Sequence, residues 1–250
     1  MIAKYTEKVR IYNHYVDYNG RLALKTLCDL MNDVAEGQTT LLGVDVDTLN
    51  LSNQTWMLHR LHIVINELPV NNEEVVIETW PSGIDRLFAL RDYRMLREDG
   101  EVLVNATSEW MLIDLERRRP IRQTARIVEL STTHSLEKLP INSILDEKSV
   151  NREMTEARHF TATFDNIDFN GHVTLTSYMR WIVNSLPFEF LKGHQLQEVE
   201  IVYQHEILPE SNIISYYERL TSEGRTEINH MIKDDQNKQE HCVARTIWKK

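Results

Sequence analysis

Apolar residues recur at three- and four-residue spacing through Leu24, Leu27, Cys28, Met31 and Val34, which predicts a helix with one buried face, and Gly43 is placed to stop it. Beyond that glycine the pattern changes to strand-like runs at 56–65, 75–80, 87–96 and 102–114, with Asp99-Gly100 marking a hairpin turn. A second series follows at 198–207, 212–219, 226–233 and 240–248. One helix followed by consecutive antiparallel strands is an α+β unit, and the chain writes it twice.

The duplication is visible residue by residue. VDYNGRLAL at 16–24 returns as IDFNGHVTL at 167–175, so that Asp17, Asn19, Gly20 and Leu24 recur as Asp168, Asn170, Gly171 and Leu175, all 151 positions later. Further on, an offset of 138 pairs Ile63 and Val64 with Ile201 and Val202, Ala106 with Ala244, and Trp110 with Trp248. The second copy is therefore 13 residues shorter between its helix and its sheet. Between the copies, 130–151 is polar, carries Pro140 and shows no sustained period. The expected organisation is a first domain over 1–129, a linker over 130–151 and a second domain over 152–250. A long helix wrapped by an antiparallel sheet, doubled in one chain, is a tandem hotdog.

Composition adds exclusions. The 250 residues are 42% apolar, enough for a sizeable core, and a net charge of -10 argues against general binding to nucleic acid or to an anionic membrane. The start lacks the apolar run of a signal peptide and no window reaches eighteen uninterrupted apolar residues, so a cytoplasmic protein without membrane insertion is expected. Cys28 and Cys242 are too few for a disulfide framework and lack metal-type spacing, so both are expected reduced and buried. No nucleotide, flavin or metal signature is present, and none is expected as a cofactor. The tryptophans at 56, 80, 110, 181 and 248 read as core and interface anchors.

Several motifs together resemble the fatty acyl-acyl carrier protein thioesterase family of plants and bacteria. In the first half these are Trp56, Arg60 and His62 of WMLHRLHIVI, Pro69, VVIETW at 75–80, RDYRMLREDG at 91–100, ATSEWMLID at 106–114 and the Arg117-Arg118 pair. In the second half they are Asp168, Asn170, His172 and Val173 of DFNGHV, then Tyr178 and Trp181, and Tyr203, Glu206 and Ser211 of VYQHEILPES. The resemblance covers nearly the whole chain. It implies two fused hotdog domains and hydrolysis of the acyl thioester on acyl carrier protein, with release of free fatty acid.

Such hydrolysis needs an activated water or nucleophile, a polarised thioester carbonyl and stabilisation of the oxyanion. Asp168, Asn170 and His172 alternate, so in an extended segment one acid, one amide and one imidazole share a face, at about 7 Å intervals. Gly171 suits a tight turn at a helix entry, where amide groups and the helix dipole favour negative charge. The resemblance maps the catalytic set onto Asp168, Asn170, His172 and Glu206. In one scheme Glu206, or a water it activates, attacks the thioester while Asp168 and His172 orient and polarise it; in the other, Asp168 is itself the nucleophile and forms a transient anhydride. Ile207 stands where many plant relatives carry a cysteine, and Thr174-Leu175 where relatives often carry two asparagines. With Ile207 there, a carboxylate and histidine chemistry is favoured.

The first copy has Arg21 at the position of His172, and a permanent cation cannot act as a neutral base. The resemblance then gives the first domain the acyl chain to hold and the second the chemistry. Arg117, Arg118, Arg119, Arg122 and Arg126 place five cations in ten residues of an acidic chain, a candidate docking patch for the acidic carrier protein and equally a set of solvated loop charges. An acyl-CoA thioesterase, a hydratase of the same fold and a silent acyl-thioester-binding hotdog protein stay open as alternatives, as do monomer and homodimer.

Overall fold

The computed structural model describes residues 4–250 apart from 134, 135, 137, 169, 170, 223 and 224, with residues 221 and 222 described by their backbone. The chain divides into two compact units, Met1–Ala23 with Leu27–Ile141, and Leu24–Thr26 with Asn142–Lys250.

The first unit runs β1 (Tyr5–Arg10), α1 (Leu24–Leu42), α2 (Val46–Asn50), β2 (Gln54–Ile65), β3 (Glu74–Asp85), β4 (Phe88–Arg97), β5 (Val102–Asp114), β6 (Arg119–Ile121) and α3 (Ala125–Thr133). Its strands pair antiparallel in the order β1-β3-β4-β5-β2, with β6 also on β5. The apolar stripe of α1, Leu24, Leu27, Cys28, Met31 and Val34, is buried along its length. Full burial of a side chain such as Leu27 contributes about 2 kcal/mol. Gly43 ends the helix at φ 67, its N–H returning to the carbonyls of Thr39 and Thr40, a left-handed cap that only glycine adopts cheaply.

The second unit contains β7 (Glu156–Thr161), α4 (Leu175–Ser185), α5 (Phe188–Gly193), β8 (Gln195–Tyr203), β9 (Asn212–Ser222), β10 (Arg225–Asp234) and β11 (Glu240–Lys249). Its antiparallel order is β8-β11-β10-β9-β7. Helix α4 buries Tyr178, Met179, Trp181 and Ile182.

The 138-residue offset holds at the level of register. Ile63 pairs with Ala106 and Ile201 with Ala244; Leu58 pairs with Trp110 and Leu196 with Trp248. Each ladder also skips one residue at the same place, His59 in β2 and Gln197 in β8. Even the tryptophan anchors repeat: the Trp110 indole donates to Ser108 Oγ and the Trp248 indole to Thr246 Oγ1, both at 2.7 Å. The duplication therefore copied a packing scheme as well as a topology.

Besides the short elements α2, β6, α3 and α5, which the apolar pattern does not announce, three features depart from the pattern-based expectation. Strands β1 and β7 precede the two motifs; their alternation is half polar because they lie at sheet edges, and it escapes a search for apolar runs. Strand β8 ends at Tyr203, so Gln204–Ile207, expected in the strand, is loop. The polar segment between the copies is held down by two buried carboxylates. Asp92 accepts from the Leu139 N–H at 2.6 Å and from Ser82 Oγ at 2.9 Å. Glu200 accepts from the N–H groups of Ile144 and Leu145 at 2.7 and 2.9 Å. Leu139, Leu145 and Val150 are buried. Burial raises the Asp92 pKa, and the bonds it accepts partly restore its charge.

Both cysteines are free and buried, and burial pushes the Cys242 thiol up, leaving it protonated and inert. His230 is fully buried with Nε2 on Thr246 Oγ1 at 2.8 Å, and desolvation lowers its pKa to about 3. The folded state therefore binds fewer protons there than the unfolded chain. The contribution of this one group is intact above pH 6.5 and is lost at up to about 1.4 kcal/mol per pH unit as the pH drops from 6.5 toward 3. Denaturant titrations at stepped pH should show this slope, and His230→Gln should flatten it; an unchanged slope would remove His230 as its source.

Candidate active site

The second motif forms a closed turn. Asp168 N–H donates to the His172 carbonyl at 2.8 Å, Gly171 N–H to the Asp168 carbonyl at 3.0 Å, and Gly171 has φ 81, where any other residue would be strained. Asp168 and His172 are thus not two positions of one extended strand, as their spacing suggested, but the two ends of a turn. Instead the Asp168 carboxylate turns inward, Oδ1 accepting the N–H of His172 at 3.1 Å. Asn170 lies outside the described residues.

Two further bonds fix where the turn points. Val173 N–H donates to the Ile207 carbonyl at 3.1 Å, and Thr174 N–H to the Asn166 carbonyl at 2.7 Å. Asn166 is buried and capped against Thr163, with its amide on Ser177 Oγ at 3.3 Å. At the departure from the family pattern, Thr174 Oγ1 lies 2.7 Å from Ser177 Oγ, so the helix start is bridged by hydroxyls.

The Val173–Ile207 bond brings together what lies far apart in sequence. His172 Nε2 stands 3.2 Å from Glu206 Oε2, with the two side chains 33% and 41% exposed. A carboxylate on imidazole, half open to solvent, can hold one ring tautomer, accept a proton from water and return it to a leaving group. Helix α4 begins three residues after His172, so its positive end adjoins the same turn. Among the described residues no cluster of three or more His, Cys, Asp and Glu side chains is placed to share a metal ion.

The first copy has the same scaffold with different chemistry. Asp17 N–H donates to the Arg21 carbonyl, Gly20 sits at φ 73, Asp17 Oδ1 accepts the Arg21 N–H at 3.3 Å, and Leu22 N–H donates to the Pro69 carbonyl at 2.8 Å. Arg21 replaces His172, and the offset that pairs Pro69 with Ile207 puts Leu68 at the position of Glu206. That second loss is legible in the sequence once the offset of the strands is carried into the loop that follows β2. The five arginines of the candidate patch are all exposed, Arg117 and Arg118 in the β5–β6 turn, Arg119 at the start of β6, Arg122 just after it and Arg126 in the first turn of α3, 3.3 Å from Glu129.

Residues 3–130 match the description "Acyl-ACP thioesterase N-terminal domain" and residues 149–250 "Acyl-ACP thioesterase C-terminal domain", ACP being acyl carrier protein. The chain belongs to the acyl-ACP thioesterase family. It is similar to oleoyl-acyl carrier protein thioesterase 2 of Arabidopsis thaliana, 24% identical over 98% of this chain and 77% of the plant protein. The crystal structure of an acyl-ACP thioesterase from Bacteroides thetaiotaomicron superposes with TM-score 0.88, 26% identity and coverage of 99% and 98%. The 12:0-ACP thioesterase from Umbellularia californica, at 18% identity and TM-score 0.88 over 99% and 94% of the two chains, shares the fold. The tandem hotdog expected from the repeat is the architecture of this thioesterase.

Proposed function

We propose that this thioesterase hydrolyses fatty acyl-ACP through the His172–Glu206 pair of its second unit. The observation that carries the proposal is the 3.2 Å contact between those side chains on a scaffold whose first copy keeps the backbone and carries Arg21 and Leu68 instead. Glu206 takes a proton from water, the hydroxide attacks the thioester carbon, and the oxyanion forms beside the N-terminal end of α4. Collapse breaks the C–S bond, and the proton passes through His172 to the carrier thiolate. Asp168 is a positioning residue: Asp17 braces the first turn in the same way where no histidine follows. Asn170, from the resemblance, belongs to the same set. A single turnover in ¹⁸O-water should label the released fatty acid and leave the enzyme unlabelled; label in the Asp168 carboxyl group would instead make Asp168 the nucleophile.

The first unit is assigned the acyl chain, on the sheet face under the apolar stripe of α1. The exposed arginines are assigned to the acidic carrier protein. Reversing Arg118 and Arg122 to Glu should raise KM for acyl-ACP about tenfold and leave the matched acyl-CoA thioester unaffected; equal loss on both substrates would reject docking there. Among the described residues no helix is long and apolar enough to cross a membrane. The chemistry calls on one chain, so a homodimer would be a further assembly of the same enzyme.

A further inference from the structure

Glu206 lies on a loop, yet the backbone on both sides of it is pinned. Gln204 and His205 donate their N–H groups to the His241 carbonyl at 2.9 and 3.2 Å, and the Ile207 carbonyl accepts from Val173. These are main-chain bonds that any sequence can make. Two side chains add to them from below. The His241 ring, buried at the start of β11, sets Nδ1 3.3 Å from the His205 carbonyl. Tyr178, buried on α4, sets its hydroxyl 3.4 Å from the same carbonyl, and the backbone of Ile207 hydrogen-bonds to that hydroxyl. Facing a carbonyl, His241 Nδ1 must carry the proton. Desolvation lowers the pKa of this imidazole, which keeps it in the neutral form that such a tautomer requires.

The first copy supplies an internal control. Asn66 and Glu67 donate to the Leu103 carbonyl at 2.9 and 3.2 Å, the same main-chain arrangement to a tenth of an ångström. At the positions of His241 and Tyr178, however, it has Leu103 and Leu27, both fully buried. The fold therefore closes this corner with two leucines. The polar pair occurs in the copy that carries Glu206.

We propose that Tyr178 and His241 are positioning residues for Glu206, fixing the His205–Glu206 peptide from beneath so that the carboxylate meets His172. Both side chains are more than nine-tenths buried, so neither reaches substrate. Their contribution is to the orientation of Glu206, in which a small displacement costs rate while leaving binding intact. The proposal rests on Glu206 being the acting carboxylate, and the test separates the two ideas.

The test compares kcat and KM for acyl-ACP hydrolysis in Tyr178→Phe, His241→Leu, the double variant and His241→Asn, each also made with Glu206→Gln. Losing one such bond is expected to lower kcat about fivefold and losing both about thirtyfold, with KM within about twofold of the unaltered enzyme. His241→Asn, whose amide can donate from the place of Nδ1, should restore most of the rate lost in His241→Leu. With Glu206→Gln present, the same substitutions should cost nothing further. Undiminished kcat in the folded double variant would overturn the proposal. So would a rise in KM at constant kcat, failure of asparagine to rescue, or an equal loss in the Glu206→Gln background. Full activity of Glu206→Gln itself would instead overturn the function assigned to Glu206.

Discussion

Glu206→Gln is expected to lower kcat for fatty acid release from acyl-ACP by at least about a hundredfold, with KM and melting temperature near those of the unaltered enzyme. The amide keeps the size and planarity of the side chain and can still bond to His172, but it cannot take a proton from water, and positioned proton transfer is worth about 10² to 10⁴ in rate. Because the carboxylate is 41% exposed and its partner 33%, its removal leaves no buried charge and should cost the fold little. Steady-state kinetics beside a thermal melt check both halves of this expectation. A variant that loses activity together with its cooperative melt would speak of structure, and one that keeps full activity would move the base elsewhere.

Trp181→Ala is expected to act in the opposite sense, on stability first. The indole is buried on α4, 5.9 Å from the Tyr178 ring and 6.2 Å from Phe160 of β7, so it joins the helix to the edge strand of its own unit. Truncating such a side chain removes its transfer free energy and leaves a cavity that rigid neighbours fill poorly, about 3 to 5 kcal/mol in total. In a chain of this size that corresponds to a fall in melting temperature of about 10 °C. A fall of only a degree or two would mean that the second unit collapses onto the gap, and that α4 is held by its other contacts.

Much of the fold was legible because the chain repeats itself. A helix period of 3.6 ending at Gly43, two series of four strands and a constant offset are enough for the architecture, and the offset even carries the strand register, since Ile63–Ala106 and Ile201–Ala244 are the same pair. What escaped is what does not advertise itself by apolarity. Strand β1 exposes every second side chain and β7 all but Ala157 and Phe160, and the segment between the copies is fixed by hydrogen bonds to Asp92 and Glu200 that depend on three-dimensional neighbours.

For the site, residue identities were readable and their geometry was not. Alternation of Asp168, Asn170 and His172 suggested one face of an extended segment, whereas Gly171 at φ 81 closes a turn and sends the Asp168 carboxylate to its own backbone. Nothing in the spacing of His172 and Glu206 announces that they touch; the Val173–Ile207 bond does that. The signal that could have sharpened the reading was internal. Aligning the loops by the same offset as the strands shows that the first copy lacks both partners at once, which is the pattern expected when two residues act as a pair.

The most direct test is a kinetic cycle: rates of free fatty acid release from acyl-ACP for the unaltered enzyme, His172→Ala, Glu206→Ala and the double variant. If the two side chains form one catalytic unit, each single substitution costs about a hundredfold or more and the double variant is no slower than the worse single. Losses that multiply to about 10⁴ would mean that the two act independently. Undiminished rates in the singles, or a folded enzyme that binds acyl-ACP without turning it over, would contradict the account.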